Sequence, residues 1–212
     1  MEPIRFSDAL IPHLKKYNLQ SDLAFKAGDI ERGRFLFDSL VATHLVGSQI
    51  DNYTLKNING GKIKLGEIKK PLFIMTYASW CVLSKGEIPA LNKLSKKYAK
   101  EVQFVILFYD KKQNVKKISR RFSGNIKVCF ANESYRNDVK LIAALKHTLG
   151  FPTSFFLDEN LEVVSINRGG AQTDPKITYL KAFNLNYEIF NTRLNSCLMK
   201  KNLVLDQLAS DE

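Results

Sequence analysis

Pro71-Leu72-Phe73-Ile74-Met75-Thr76-Tyr77-Ala78-Ser79-Trp80-Cys81 begins as an unbroken apolar run and ends at a cysteine. Such a run, without polar alternation, reads as a strand buried on both faces, which requires helices above and below its sheet. Downstream, Ile88, Leu91, Leu94 and Tyr98 recur at helical spacing, and Val102 to Tyr109 is a second buried-strand run. Two such runs joined by a helix form a β-α-β unit, so the sheet is at least partly parallel. Cys81 stands where the first strand gives way to the crossover helix.

Working toward the C-terminus, a basic helix with Val115, Ile118 and Phe122 inward precedes a short strand through Ile126, Val128 and Phe130. A helix is expected from about Tyr135 to Thr148. Gly150-Phe151-Pro152-Thr153 then opens a strand from Ser154 to Leu157, and Asp158-Glu159-Asn160 turns into a last strand, Leu161 to Ile166. Leu180, Phe183, Tyr187, Phe190 and Leu194 keep one face of a long C-terminal helix. On the N-terminal side, Tyr53-Thr54-Leu55 and Lys62-Ile63-Lys64-Leu65 flank Asn59-Gly60-Gly61 as a hairpin. Residues before Gly47 read as two helices: Leu10, Leu14 and Tyr17 share one face, and Leu36, Leu40, Thr43 and Val46 share another. Gly28 stops the first helix and Asp29 caps the second. This pair resembles one tetratricopeptide unit, which cannot bury its own apolar face and should pack on the following domain or on a partner. The expected organisation is a helical extension over residues 1–46, an α/β domain over 47–170, and a helical segment over 171–212 packed on it.

Several features in order resemble the thioredoxin-like superfamily, and within it the TlpA-like branch of the alkyl-hydroperoxide-reductase/thiol-specific-antioxidant group. Leu55 through Leu65 is similar to that branch's opening hairpin, and Ala78-Ser79-Trp80-Cys81 to its active-site turn. Glu87-Ile88-Pro89-Ala90-Leu91 resembles its Glu-x-Pro-x-Leu element, and Gly150-Phe151-Pro152-Thr153 its cis-proline loop. The resemblance covers about residues 47–170. It implies an α/β thioredoxin-like fold, a mixed sheet flanked by helices, with thiol-disulfide chemistry at Cys81. It also implies a substrate-binding edge formed by Trp80, Phe151 and Pro152, with protein or small-molecule thiols and disulfides as partners. The branch is mostly exported to the bacterial cell envelope, which tilts the expected compartment that way. Met1-Glu2-Pro3-Ile4-Arg5 carries no secretory-signal pattern, and no stretch is apolar enough to cross a bilayer.

Chemistry is expected at Cys81 on physical grounds too. A thiolate at a helix start meets unpaired N–H groups and the positive end of the helix dipole, which favour ionisation. The chain departs from the family at the next step. Ser84 occupies the position of the usual second cysteine, and Leu83 replaces the proline often found before it. The Ser84 hydroxyl can hydrogen-bond a thiolate at Cys81, but it cannot resolve a mixed disulfide as a second thiol would. Met75 stands where thioredoxins carry a buried acid, so that acid is expected to be missing. The sequence reading is therefore a monothiol protein with Cys81 and Ser84 as its catalytic residues, Cys81 as the single reactive thiol and Ser84 as a hydroxyl beside it. A redox-inactive binding module using the same groove is the alternative, and dithiol exchange with Cys129 as resolving thiol is a third reading.

Other classes are disfavoured. Ala78 stands where a peroxiredoxin would need threonine. His13, His44 and His147 show no zinc spacing, so neither a metal nor another cofactor is expected. The net charge of +11 includes a cluster at Lys111, Lys112, Lys116, Lys117, Arg120 and Arg121. Without aromatic interleaving this reads as a solvated helix face rather than a nucleic-acid site. Cys129 and Cys197 are expected to be core residues.

Overall fold

The computed structural model describes residues 3–78, 80–81, 83–145, 152–171 and 176–210. Phe151 and His147 lie outside the described residues. The chain runs α1 (Phe6–Lys26), α2 (Ile30–Leu40), β1 (Thr54–Asn57), β2 (Lys62–Lys64), β3 (Leu72–Tyr77), α3 (Glu87–Lys97), β4 (Gln103–Tyr109) and α4 (Lys112–Ser119). It continues with β5 (Ile126–Ala131), α5 (Val139–Leu145), β6 (Thr153–Leu157), β7 (Val163–Arg168) and α6 (Tyr179–Ser210). The strands form one seven-stranded sheet in the order β2-β1-β5-β4-β3-β6-β7. β3, β4 and β5 are parallel neighbours, whereas β6 and β7 add antiparallel beside β3. The expected α/β class and mixed sheet are both present.

Every residue of β3 is buried, as its uninterrupted apolar run requires. One core lies between the sheet and helices α1, α2 and α5, joining Phe6, Leu10 and Tyr17 to Leu72, Ile74 and Phe155. The other lies under α3, α4 and α6, joining Leu91, Leu94 and Phe190 to Phe73, Met75 and Phe108. The N-terminal helices thus cover one face of the sheet, with Phe6 edge-on to Phe155 at 6.0 Å. Gln49 bridges Arg5 on one side and Glu162 on the other, tying the entry of α1 to the sheet's far edge.

Local departures have local causes. Thr43 and Val46 are exposed, contrary to the helical spacing, because α2 widens into a π-turn over Val41–Leu45. That wider turn shifts the phase, so Val41 and Leu45 take the inward positions. The helix expected at Tyr135 starts as a 3-10 turn at Arg136–Asp138 and becomes α-helical only at Val139. Its continuation toward Thr148 lies outside the described residues. β7 begins at Val163 rather than Leu161, since Asp158 accepts from the Asn160 and Glu162 N–H groups and prolongs the turn. Leu180 is exposed, and Asn186 is buried in the helical stripe instead. Gly28 and Asp29 act as expected: α1 ends at Lys26, and the Asp29 carboxylate accepts from Arg32 N at 2.8 Å to cap α2. The basic cluster around α4 is exposed throughout.

Candidate active site

Cys81 sits at the carboxyl end of β3, in the turn that leads toward α3. The expected helix start at Cys81 is not there. α3 begins at Glu87, with Gly86 as its N-cap, so the helix dipole acts several residues from the sulfur. The sulfur instead accepts a hydrogen bond from Ala78 N at 3.2 Å, while Cys81 N donates to Ala78 O at 3.0 Å. Burial is the main influence on the half-buried thiol and pushes its pKa up. The Ala78 N–H opposes that shift, and the negative charge of Glu87 adds to it. The thiol is therefore held protonated more firmly than an ordinary cysteine. Beside it, Trp80 is 76% exposed and presents an apolar surface to solvent.

Beneath the turn lies a buried polar network. Glu87 is only 2% exposed, and its carboxylate accepts from the Tyr77 hydroxyl, from Ser84 N at 3.1 Å and from Ser84 Oγ at 3.0 Å. Asn186 of α6 is fully buried and closes the network. Its Nδ2 donates to Ser84 Oγ at 2.9 Å, to Lys85 O and to Ala182 O, and its Oδ1 accepts from Ala171 N at 2.9 Å. Two expectations are corrected here. The Ser84 hydroxyl is engaged by Glu87 and Asn186 rather than by the Cys81 thiolate. A buried acid is present after all: Met75 fills its strand position with a fully buried thioether, and Glu87 supplies the carboxylate from the first turn of α3. Burial, with the Glu87 charge added to it, holds the Tyr77 hydroxyl well above the usual phenol range.

Two glycines allow this closure. Gly86 has φ +77°, and a Cβ there would stand 2.5 Å from Phe183 Cα. A Cβ on Gly170 would stand 2.5 Å from Asn186 Oδ1 and 3.2 Å from the Glu87 carboxyl. α6 can therefore seat Asn186 only because both neighbours lack side chains. Pro152 stands at the entry to β6, where its carbonyl accepts from Gly169 N at 2.7 Å.

The remaining cysteines are remote. Cys129 is fully buried and belongs to the core on the α1–α2 face, whereas Cys81 packs against the α3–α6 core. β5 is also two strands from β3, a separation of about 9–10 Å across the sheet, which rules out a bond to Cys81 without rearrangement. Cys197 lies eleven residues beyond Asn186 on α6, about 16 Å along the helix. Its sulfur is 3.1 Å from Ser165 Oγ. Among the described residues no group of three or more His, Cys, Asp or Glu side chains gathers to hold a metal, and no helix is long and apolar enough to cross a membrane. His13 and His44, isolated in sequence, stack with ring centroids 3.5 Å apart.

Burial pushes the Cys129 thiol from its ordinary value of 9.0 up to about 12. Between those values the folded chain keeps a proton that the unfolded chain releases, so stability is full below pH 9 and falls as pH rises. Urea unfolding should show about 1 kcal/mol lost between pH 9 and pH 10 from this group, a loss missing in Cys129→Ala.

The AhpC/TSA family profile matches residues 46–166. The thioredoxin-like protein YneN of Bacillus subtilis is 29% identical over 124 residues, spanning 58% of this chain and 71% of YneN. The thiol-disulfide oxidoreductase ResA of Bacillus thuringiensis subsp. konkukian is 26% identical over 139 residues, spanning 64% of this chain and 77% of ResA. A crystal structure of a thiol:disulfide interchange protein DsbE, assigned as such in Chlorobium tepidum, superposes with a TM-score of 0.51 at 22% identity. That superposition covers 70% of this chain and 94% of the other. The likeness to DsbE supports a thioredoxin-like fold.

Proposed function

This chain belongs to the AhpC/TSA family, in the TlpA-like branch of the thioredoxin-like superfamily, and we propose that it is a monothiol thiol-disulfide protein that holds its partners as mixed disulfides. The observation that carries the reading is the chemical solitude of Cys81: Ser84 takes the place of a second thiol, and Cys129 and Cys197 are remote. The Cys81 thiolate attacks a partner disulfide, one new S–S bond forms to Cys81, and the displaced partner thiolate leaves and takes up a proton. A thiol held protonated is ionised less often, but its thiolate is the better nucleophile and the poorer leaving group. The burial and Glu87 charge that raise the Cys81 pKa thus favour an adduct that forms slowly and persists. Trp80 and the Phe151-Pro152 segment would form the edge against which a client chain lies. Ser84, fixed by Glu87 and Asn186, would act as a support for the turn rather than as a reacting group.

Incubation of the full chain with glutathione disulfide, read by intact-mass spectrometry, is expected to give one adduct, at Cys81, and none in Cys81→Ser. An equal adduct yield in Cys81→Ser would overturn the proposal. The raised Cys81 pKa also favours a second reading, a redox-inactive binding module. Under that reading the intact chain forms no adduct, and a partner is recovered by Cys81→Ser under reducing conditions.

A further inference from the structure

Two polar residues of α6 reach back to different parts of the thiol site. Asn186 holds the Cys81 side, donating to Ser84 Oγ and to Lys85 O in the turn that follows the cysteine. Arg193 lies about two helical turns further along α6, on the same face. Its guanidinium donates to two successive carbonyls at the exit of β7, Gly169 O at 2.6 Å and Arg168 O at 3.3 Å. Hydrogen bonds from a charged donor are the stronger class. Burial lowers the Arg193 pKa, so the group is partly withdrawn from water that would compete for those carbonyls.

What Arg193 grips is the segment beside Pro152. β6 and β7 pair as far as Thr153 with Arg168. Beyond that pair Gly169 takes a left-handed backbone, φ +54°, and its N–H donates to Pro152 O at 2.7 Å. Gly169 therefore passes the hold of α6 on to Pro152: Arg193 takes its carbonyl, and Pro152 takes its N–H. The β3–β6 register, Met75 with Ser154 and Thr76 with Thr153, brings Pro152 to the end of β3 from which the Cys81 turn departs. Glycine has the widest backbone freedom of any residue, so without a clamp on its carbonyl Gly169 is free to turn and let Pro152 shift. We propose that Arg193 is a positioning residue for the partner: acting through Gly169, it fixes the Pro152 edge so that an extended peptide chain lies beside Cys81. This rests on the monothiol reading and adds to it that the partner is an extended peptide segment.

Rates of adduct formation at Cys81 with two disulfides, followed by intact mass on the full chain, test this. One probe is hydroxyethyl disulfide, which has no peptide backbone. The other is the disulfide dimer of a capped heptapeptide, alternating valine and threonine around a central cysteine. With either, the Cys81 thiol gives its proton to solvent and its thiolate bonds one probe sulfur; the other half leaves as a thiolate and takes up a proton. Arg193→Met keeps the apolar stem and removes the donors. It should slow the peptide probe about tenfold, the scale of one or two lost backbone hydrogen bonds, and leave hydroxyethyl disulfide within about twofold. Arg193→Lys keeps the charge but not the fork, so its peptide rate should fall between the two. An equal fall for both probes would overturn the proposal, because general loosening of α6 gives that result. So would an unchanged ratio of the two rates in a folded Arg193→Met. If that variant fails to fold, Arg193→Lys decides: a lowered ratio of peptide to small-probe rate supports the proposal, and an unchanged ratio overturns it. A natural chain that reacts with neither probe overturns the monothiol reading itself and this inference with it.

Discussion

Glu87→Ala is expected to lower the unfolding free energy by about 3–5 kcal/mol in urea titrations. The carboxylate accepts from three donors in a buried setting: the Tyr77 hydroxyl, Ser84 N and Ser84 Oγ. Alanine leaves Ser84 N facing a small void and the two hydroxyls with only their secondary acceptors, Met75 Sδ for Tyr77 at 3.1 Å and Asn186 Oδ1 for Ser84 at 3.2 Å. Each poorly satisfied buried donor costs about 1–3 kcal/mol, less than additively within one network. Glu87→Gln keeps the shape and can set its amide oxygen on the two Ser84 donors and its NH2 on the Tyr77 hydroxyl, which can accept, so its loss should be smaller. The glutamine variant also removes the charge that helps hold the Cys81 thiol protonated. Its Cys81 should therefore alkylate faster at neutral pH, with the midpoint of the rate–pH curve moved down. A Glu87→Ala loss below about 1 kcal/mol would mean that the carboxylate is not the keystone of the network.

Gly86→Ala should cost about 2–5 kcal/mol, from two separate sources. The left-handed backbone at φ +77° penalises any Cβ by about 1–2 kcal/mol. The added methyl also meets the Phe183 backbone at 2.5 Å, and backbone cannot swing aside as a flexible side-chain tip can. α6 must then move away from α3 and take Asn186 with it. The variant should unfold at lower urea concentration and alkylate Cys81 at a changed rate, because Asn186 anchors Ser84 and Lys85 in the same turn. A stability close to that of the natural chain would show that α6 is not wedged against Gly86.

The sheet was legible because β3 and β4 are apolar on both faces and so betray their central place, and the inward stripe of α3 was equally plain. Cys81 could be singled out from its position after such a strand. What could not be read was where α3 begins. Gly86 looks like any loop glycine until α6 is seen against it, and only then does Glu87 stand out as the first residue of α3. Glu87 could be read as the first residue of the Glu-x-Pro-x-Leu element but not as a buried acid, because its burial depends on Tyr77, ten residues earlier. Asn186 carried a signal that could have been used. It lies four residues before Phe190 and eight before Leu194, so it is a polar side chain on a core stripe, and such a residue needs buried partners. The partners themselves, Ser84 and Ala171, are brought to it only by tertiary packing. The phase change at the π-turn likewise has no local marker in Val41-Ala42-Thr43-His44-Leu45.

The lifetime of the Cys81 adduct bears most directly on the monothiol proposal. The glutathionylated chain would be freed of small thiols, held at pH 8, and followed by intact mass with and without added dithiothreitol. The adduct should persist in the chain alone and disappear only when the external thiol is added. Spontaneous loss of glutathione, with formation of a disulfide between Cys81 and either Cys129 or Cys197, would contradict the proposal and restore dithiol exchange.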